Sequence, residues 1–183
     1  MDVAIVYESL FGNTRTIAEA IADGVKEANP AARVALLPVG DAKADQVREA
    51  GLLIVGGPTH MRGMTSGVTR RKGLEAEENT AKGKGREFRP EPGAEGPGVR
   101  DWFQALPKAP SGTLAAAFDT RAGFKLAGGA AKGIARRLRS HGYKLAVPPE
   151  GFIITDTEGP LREGEPDRAR AWGADLMRQP VHS

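Results

Sequence analysis

Runs of consecutive apolar and β-branched residues recur along this chain, and amphipathic segments separate them. The first run is Val3-Ala4-Ile5-Val6-Tyr7, and the others fall at 33–38, 52–57 and 113–118, with two shorter pieces at 143–147 and 152–155. A run that is apolar at every position, rather than at alternate positions, is typical of a parallel strand buried on both faces. Because such strands need covering helices, the pattern predicts a sheet between two helical layers.

The intervening segments have the periodicity of helices that cover a sheet. In the first segment, one apolar stripe is formed by Ile17, Ala18, Ile21, Ala22 and Val25. Further helices are predicted at 45–50, 101–106, 129–141 and 166–177. The alternation predicts a single domain over residues 1–183, an α/β fold of three layers that is doubly wound around a parallel sheet.

One stretch departs from this alternation. Residues 66–100 are rich in Gly, Pro and mixed charges, and they show little periodicity. Structureless loops of this length are uncommon in compact domains and are usually functional or disordered. We therefore expect a flexible insertion at about 66–100, with one helical turn at Leu74–Asn79.

Composition excludes several kinds of site. The chain has no cysteine, and its three histidines are far apart. Disulfides, thiolate metal sites and a cysteine nucleophile are therefore excluded, and no metal-ligand spacing is present. The first residues do not resemble a signal peptide, and no apolar run approaches the ~18 residues of a membrane span. We expect a cytoplasmic protein that does not bind a membrane.

The segment Ser9-Leu10-Phe11-Gly12-Asn13-Thr14 follows the first strand and opens a helix. Ligands of open α/β sheets bind at the carboxyl ends of the strands, and the free amides of a helix N-terminus attract anions. The segment has no lysine, and the GxxxxGK(S/T) and GxGxxG patterns are absent, which favours a phosphate monoester over a triphosphate with Mg²⁺. An ordinary helix start, with Asn13 or Thr14 as the N-cap, would use the same residue types.

Three loops in register with the strands resemble those of the flavodoxin family. The segment from Ser9 to Thr14 is similar to the family's phosphate loop, Ser/Thr-x-Ser/Thr-Gly-x-Thr, with Phe11 in place of the second hydroxyl. Residues 56–60 resemble the second flavin loop, residues 118–121 resemble the third, and residues 159–173 are similar to the closing part of short bacterial flavodoxins. The resemblance implies a five-stranded sheet of order 2-1-3-4-5, with FMN as the cofactor.

The resemblance also implies which residues bind FMN. The phosphate would lie on residues 9–14, and the ring would lie between the second and third loops. The ring contacts implied are Pro58, Thr59, His60 and Met61 on one side and Asp119, Thr120 and Arg121 on the other. Flavodoxins usually clamp the ring between Trp and Tyr, and we expect His60, Met61 or Phe124 to replace that clamp. Arg121 would either stabilise negative charge on the reduced ring or begin an exposed basic loop.

The function implied is electron transport by an FMN-binding flavoprotein. The cofactor would supply the chemistry, and no side chain would act as a catalytic acid or base. Two alternatives stay open. One is an oxidoreductase of the same fold, an NAD(P)H-dependent quinone or FMN reductase, with residues 66–100 as a lid or a dimer contact. The other is a binding module that has lost the flavin.

Positive charge is concentrated in one segment. The formal net charge is +3, yet residues 121–149 hold seven basic and no acidic side chains. The motifs of nucleic-acid-binding domains are absent, so we expect no nucleic-acid partner. A solvated helix face explains the run without any partner. If the patch is functional, it predicts redox partner proteins, a reductase and an acceptor, with an acidic docking face.

Overall fold

A parallel sheet forms the centre of the structure, a computed structural model that describes residues 1–59, 63–85, 87–123, 129–156 and 158–178. Its strands are β1 (Asp2–Tyr7), β2 (Arg33–Pro38), β3 (Leu52–Pro58), β4 (Leu114–Ala122), β5 (Lys144–Leu145) and β6 (Glu150–Ile154). The order is β2-β1-β3-β4-β5, and β6 also pairs with β4. The predicted order is confirmed, with the fifth strand present as two pieces that both pair with β4.

Six helices accompany the sheet in the part of the chain that the structure describes. They are α1 (Asn13–Ala28), α2 (Ala44–Arg48), α3 (Gly67–Gly83), α4 (Val99–Ala105), α5 (Ala130–Ser140) and α6 (Glu165–Leu176). Apolar residues of α1 and α6 pack on one face of the sheet, and those of α2, α4 and α5 pack on the other. The three-layer prediction is confirmed, and the predicted stripe of α1 is buried. Within the described ranges, no helix is both long enough and apolar enough to cross a membrane.

The segment 66–100 is more regular than its sequence indicates. The predicted helix at Leu74–Asn79 is present but is longer than one turn, because α3 spans Gly67–Gly83. Ser66 caps it by accepting a hydrogen bond from the Thr69 amide. The segment has too few apolar residues to show the periodicity of a helix in its sequence. Few side chains of α3 are buried, and one of them is the charged Arg70. The flexibility of the insertion stays a prediction.

Strand register brings the predicted loops to one level. Tyr7 pairs with Gly56, and Gly56 pairs with Phe118, so β1, β3 and β4 reach the same edge of the sheet. β4 continues to Ala122, four residues beyond the predicted end at Phe118. Residues 119–121 therefore lie in a strand, between β3 and β6, rather than in a loop. This edge carries the candidate site.

Candidate functional site

Residues 9–14, the predicted phosphate loop, follow Glu8 at the end of β1 and lead into α1. Gly12 is the N-cap of α1, with φ of 91°, in the left-handed region that favours glycine. Ser9 Oγ accepts a hydrogen bond of 3.1 Å from the Gly12 amide. Neither Asn13 nor Thr14 is the N-cap, so an ordinary helix start with either residue as cap does not describe this turn.

The side chains of Asn13 and Thr14 point to other segments of the carboxyl edge. Asn13 Nδ2 donates to the Glu158 carbonyl at 2.8 Å, and Thr14 Oγ1 lies 2.8 Å from Thr120 Oγ1 in a buried hydroxyl pair. α1 consequently has no side-chain cap, and its first turn contains no acidic residue. The first amides of a helix have no partner within the helix, and they lie at the positive end of its dipole. This turn is therefore suited to an external anion.

The start of α5, at the same edge, is satisfied by the protein itself. Asp119 Oδ2 accepts hydrogen bonds from the Ala131 amide at 2.8 Å and from the Thr59 hydroxyl at 3.1 Å. Thr59 Oγ1 in turn accepts from the Ala130 amide at 2.8 Å. Burial raises the pKa of Asp119, although the Ala131 amide stabilises its charged form. Thr59 and Asp119 thus connect the second and third loops through one helix terminus.

Arg121 is held against the sheet rather than exposed. Its Nε lies 3.2 Å from Asp119 Oδ1, and 26% of its side chain is accessible. The guanidinium contacts the backbone of Gly129 and Gly151, where a Cβ atom would clash with it. The alternative of an exposed residue at the start of a basic loop does not describe Arg121. Its effect on a bound ring stays a prediction.

A buried ion pair fastens α3 to Glu8, the residue before the phosphate loop. Glu8 Oε1 lies 3.1 Å from Arg70 Nη1, and the side chains are 0% and 2% exposed. Glu8 also accepts hydrogen bonds from the Thr65 hydroxyl and, at 2.8 Å, from the Val99 amide. Burial raises the pKa of Glu8 and lowers the pKa of Arg70, because desolvation disfavours both charges.

The sequence alone does not reveal this pair. Glu8 directly follows an apolar strand, which is a weak signal for a functional carboxylate. Arg70 stands beside Arg71 and Lys72, and nothing in the sequence distinguishes it from these two neighbours. Only the folded chain shows that Arg70 is buried while the other two are exposed.

Phe11, at the position of the family's second hydroxyl, packs against the insertion. Its ring meets that of Phe88 edge to face, with centroids 6.2 Å apart. Leu10, Leu74 and Ala94 form the buried part of the same small cluster. The side chain that departs from the family pattern therefore joins the phosphate loop to the insertion.

The comparisons with known proteins agree with this geometry. The flavodoxin family model matches residues 5–88, which contain the phosphate loop and most of the insertion. The resemblance to flavodoxins is confirmed. No curated protein sequence matches this flavodoxin-like chain.

Solved flavodoxin structures match the flavodoxin-like chain over nearly its full length. A flavodoxin from the domain Archaea is 22% identical, with 100% of both chains covered and a TM-score of 0.62. A Streptococcus pneumoniae TIGR4 flavodoxin is 17% identical, with 97% of this chain and 98% of that chain covered and a TM-score of 0.65. Flavodoxin 2 from Bacillus cereus is 15% identical, with 97% and 99% covered and a TM-score of 0.65. At these identities the likeness establishes the fold.

The Trp and Tyr residues of this flavodoxin-like chain are all used for internal packing. Trp102 and Tyr143 lie in the core on one face of the sheet, while Tyr7 and Trp172 pack on the other. Trp102 also donates to the Ala42 carbonyl at 3.0 Å. A ring clamp made of Trp and Tyr is therefore not available here.

The structure brings several of the predicted site residues together. Ser9, Gly12 and Thr14 lie at the uncapped start of α1, and Thr120 reaches Thr14 from β4. Pro58 pairs in register with Thr120, which places the end of β3 beside that hydroxyl pair. The predictions for His60, Met61 and Phe124 lie outside the described residues.

Proposed function

We propose that this chain is an FMN-binding electron-transfer protein of the flavodoxin type. The observation that carries the proposal is the start of α1, where a 16-residue helix has neither a side-chain cap nor an acidic first turn. Ser9 Oγ accepts a hydrogen bond from the amide of the N-cap residue Gly12, and the hydroxyl of Thr14, in the first turn of α1, bonds to that of Thr120. Neutral donors and free amides suit a phosphate monoester, so the residues fit the phosphate end of FMN.

The chain would bind FMN through its three carboxyl-edge segments. The phosphate is assigned to residues 9–14, the ring to Pro58, Thr59, His60 and Met61 on one side and to Asp119, Thr120 and Arg121 on the other. Arg121 and the buried carboxyl of Asp119 form an ion pair in this part of β4. When bound, FMN supplies one- and two-electron chemistry, and the protein binds, orients and tunes it. The proposal needs no side chain as an acid or base.

Redox partner proteins with an acidic face would dock on α5. Lys132, Arg136 and Arg139 are exposed at the spacing i, i+4, i+7, and Arg137 is exposed beside them. Among the described residues, no carboxylate forms an ion pair with these four side chains. Unpaired charges of one sign attract an oppositely charged surface over distances of about a Debye length. Such a protein would work in the cytoplasm, as the sequence analysis predicts.

A visible absorption spectrum and a flavin titration test the cofactor assignment. We expect the purified protein to be yellow, or to become yellow with added FMN, and to bind FMN more tightly than riboflavin, which lacks the phosphate. Equal affinity for the two flavins would contradict the assignment of residues 9–14. A protein that stays colourless with excess FMN would contradict the proposed function.

Steady-state oxidation of NAD(P)H separates a carrier from a reductase. A carrier oxidises NAD(P)H only when a separate reductase is added, because it has no site for hydride transfer of its own. We expect no turnover by the purified, FMN-loaded protein alone with a quinone as acceptor. Sustained turnover under these conditions would instead support the NAD(P)H-dependent quinone or FMN reductase.

A further inference from the structure

Residues 87–97 of the insertion contact the phosphate loop directly. The Glu91 amide donates to the Leu10 carbonyl at 2.8 Å, and Phe88 packs against Phe11. On its other side the segment is held by Arg70, which donates to the Ala94 carbonyl at 2.8 Å. The segment is thus fastened both to the phosphate loop and to α3. These backbone contacts set the position of the Glu91 side chain.

The Glu91 carboxylate borders the start of α1. Its Oε1 lies 2.9 Å from the point that a Cβ atom on Gly12 would occupy. The same oxygen lies 3.2 Å from Arg15 Nη2, and the Glu91 side chain is 16% exposed. In the described part of the chain, no amide of residues 9–14 donates to this carboxylate. It therefore brings a negative charge to the anion-binding turn without satisfying the amides there.

We propose that Glu91 is a specificity-determining residue of the phosphate loop, whose charge lowers the affinity for the phosphate-bearing flavin and so limits the preference for FMN over riboflavin. The inference rests on the proposed function. A phosphate monoester carries about 1.5 to 2 negative charges at pH 7, and like charges on one partly buried loop repel each other. Arg15 offsets part of this repulsion, so its removal should weaken FMN binding.

The surroundings of Glu91 set the size of the effect. A cavity of about 310 Å³ adjoins the carboxylate and is lined also by Arg15 and Asp41. Solvent in this cavity screens the charge, so we expect a moderate change rather than a large one. A tenfold change in the dissociation constant corresponds to about 1.4 kcal/mol, which is the scale of close charge interactions near a protein surface.

The test compares Glu91→Gln with Glu95→Gln, a matched variant in the same segment whose side chain is exposed. Wild type and both variants are titrated with FMN and with riboflavin, and binding is followed by quenching of flavin fluorescence at one ionic strength. We expect Glu91→Gln to bind FMN about tenfold more tightly, with riboflavin changed by less than about twofold. We expect Glu95→Gln to match wild type, and Arg15→Gln to bind FMN more weakly.

The outcomes separate this inference from the proposed function. If wild type binds FMN, and Glu91→Gln binds it with the same or a lower affinity, the role of Glu91 is overturned and the proposed function stays intact. An equal gain in affinity for FMN and for riboflavin would also overturn the role of Glu91, because its charge would then not act on the phosphate. If wild type and the variants bind neither flavin, the proposed function fails, and the inference fails with it.

Discussion

Removal of the Arg70 guanidinium tests whether the buried ion pair holds the insertion on the domain. The substitution Arg70→Met keeps a long apolar side chain and removes the charge. Glu8, which is fully buried, would keep only the Thr65 hydroxyl and the Val99 amide as donors. Loss of one partner from a buried pair costs about 3–5 kcal/mol, because the remaining charge is uncompensated.

The contacts of Arg70 place the expected loss in the free energy of unfolding within that range. Arg70 also donates to the carbonyls of Gly93, Ala94 and Pro97, but Gly93 and Pro97 are exposed and water can replace Arg70 there. We therefore expect the free energy of unfolding to fall by about 4 kcal/mol at pH 7, mostly from Glu8. The double variant Glu8→Gln/Arg70→Met should recover at least about 1.5 kcal/mol, because it removes the stranded charge as well.

The loss should depend on pH. Burial raises the pKa of Glu8, so the folded protein holds this proton more tightly than the unfolded chain does. A raised carboxyl pKa favours folding at low pH, and this contribution is lost as the pH rises through the folded-state pKa. Without Arg70 the pKa of Glu8 rises further. The stability difference between wild type and Arg70→Met should therefore be larger at pH 8 than at pH 5.

Urea denaturation followed by tryptophan fluorescence measures these differences. Arg71→Met is the matched control, since Arg71 is the exposed neighbour on the same helix and should change stability by less than about 0.5 kcal/mol. A loss under about 1 kcal/mol for Arg70→Met at pH 8 would contradict this explanation, in which Glu8 is left as an uncompensated buried charge. A double variant less stable than Arg70→Met alone would refute it too, because Glu8 would then not be the source of the cost.

Three further variants address the candidate site, the basic face of α5 and the start of α6. Thr14→Ala should weaken FMN binding by about 1–3 kcal/mol, measured by fluorescence titration, because it removes a hydroxyl from the proposed phosphate site. The double reversal Arg136→Glu/Arg139→Glu should slow association with an acidic redox partner in stopped-flow experiments, most strongly at low salt. Glu165→Gln should lower the free energy of unfolding by about 2 kcal/mol at pH 7, measured by urea denaturation, because Glu165 accepts hydrogen bonds from two arginines and the Ile153 amide.

Each of these predictions has a result that contradicts it. Unchanged FMN affinity in Thr14→Ala would remove that hydroxyl from the phosphate site, and an association rate independent of salt would remove the α5 face from the partner surface. For Glu165, burial raises the pKa, but the Arg168 and Ile153 donors outweigh it and lower the pKa overall. A lowered carboxyl pKa stabilises the fold above the unfolded-state pKa and is lost as the pH falls. An equal deficit at pH 7 and pH 3 would contradict this account.

Much of the fold follows from local sequence. A run such as Val3–Tyr7 is apolar at every position, and only a strand between two helical layers buries all of it. The helix stripe from Ile17 to Val25 requires a sheet beneath it. Because parallel strands end at one edge, these elements also predict where residues 9–14, 58–59 and 119–121 meet.

The insertion shows where local sequence stops being informative. α3 has a weak apolar pattern because part of its buried face is a charge, that of Arg70, whose partner Glu8 lies 62 positions earlier in the chain. No periodicity records a pairing over that distance. The length of β4 was underestimated for a similar reason, since Asp119 and Arg121 are polar but find partners in α5 and against β6.

Local sequence is enough to specify the layers, because each strand and helix depends on residue types within a few positions of one another, and the resemblance of the loops to those of flavodoxins implied the strand order. The sequence left open whether the turn before α1 has a side-chain cap, and the structure shows that it has none. The tertiary structure decided which charges face that turn. Glu91 reaches Gly12, and Thr14 meets Thr120, only because the insertion and β4 fold back onto the phosphate loop. Polar contacts of this kind depend on distances of about 3 Å between segments that are remote in sequence, and a one-dimensional pattern does not specify such distances.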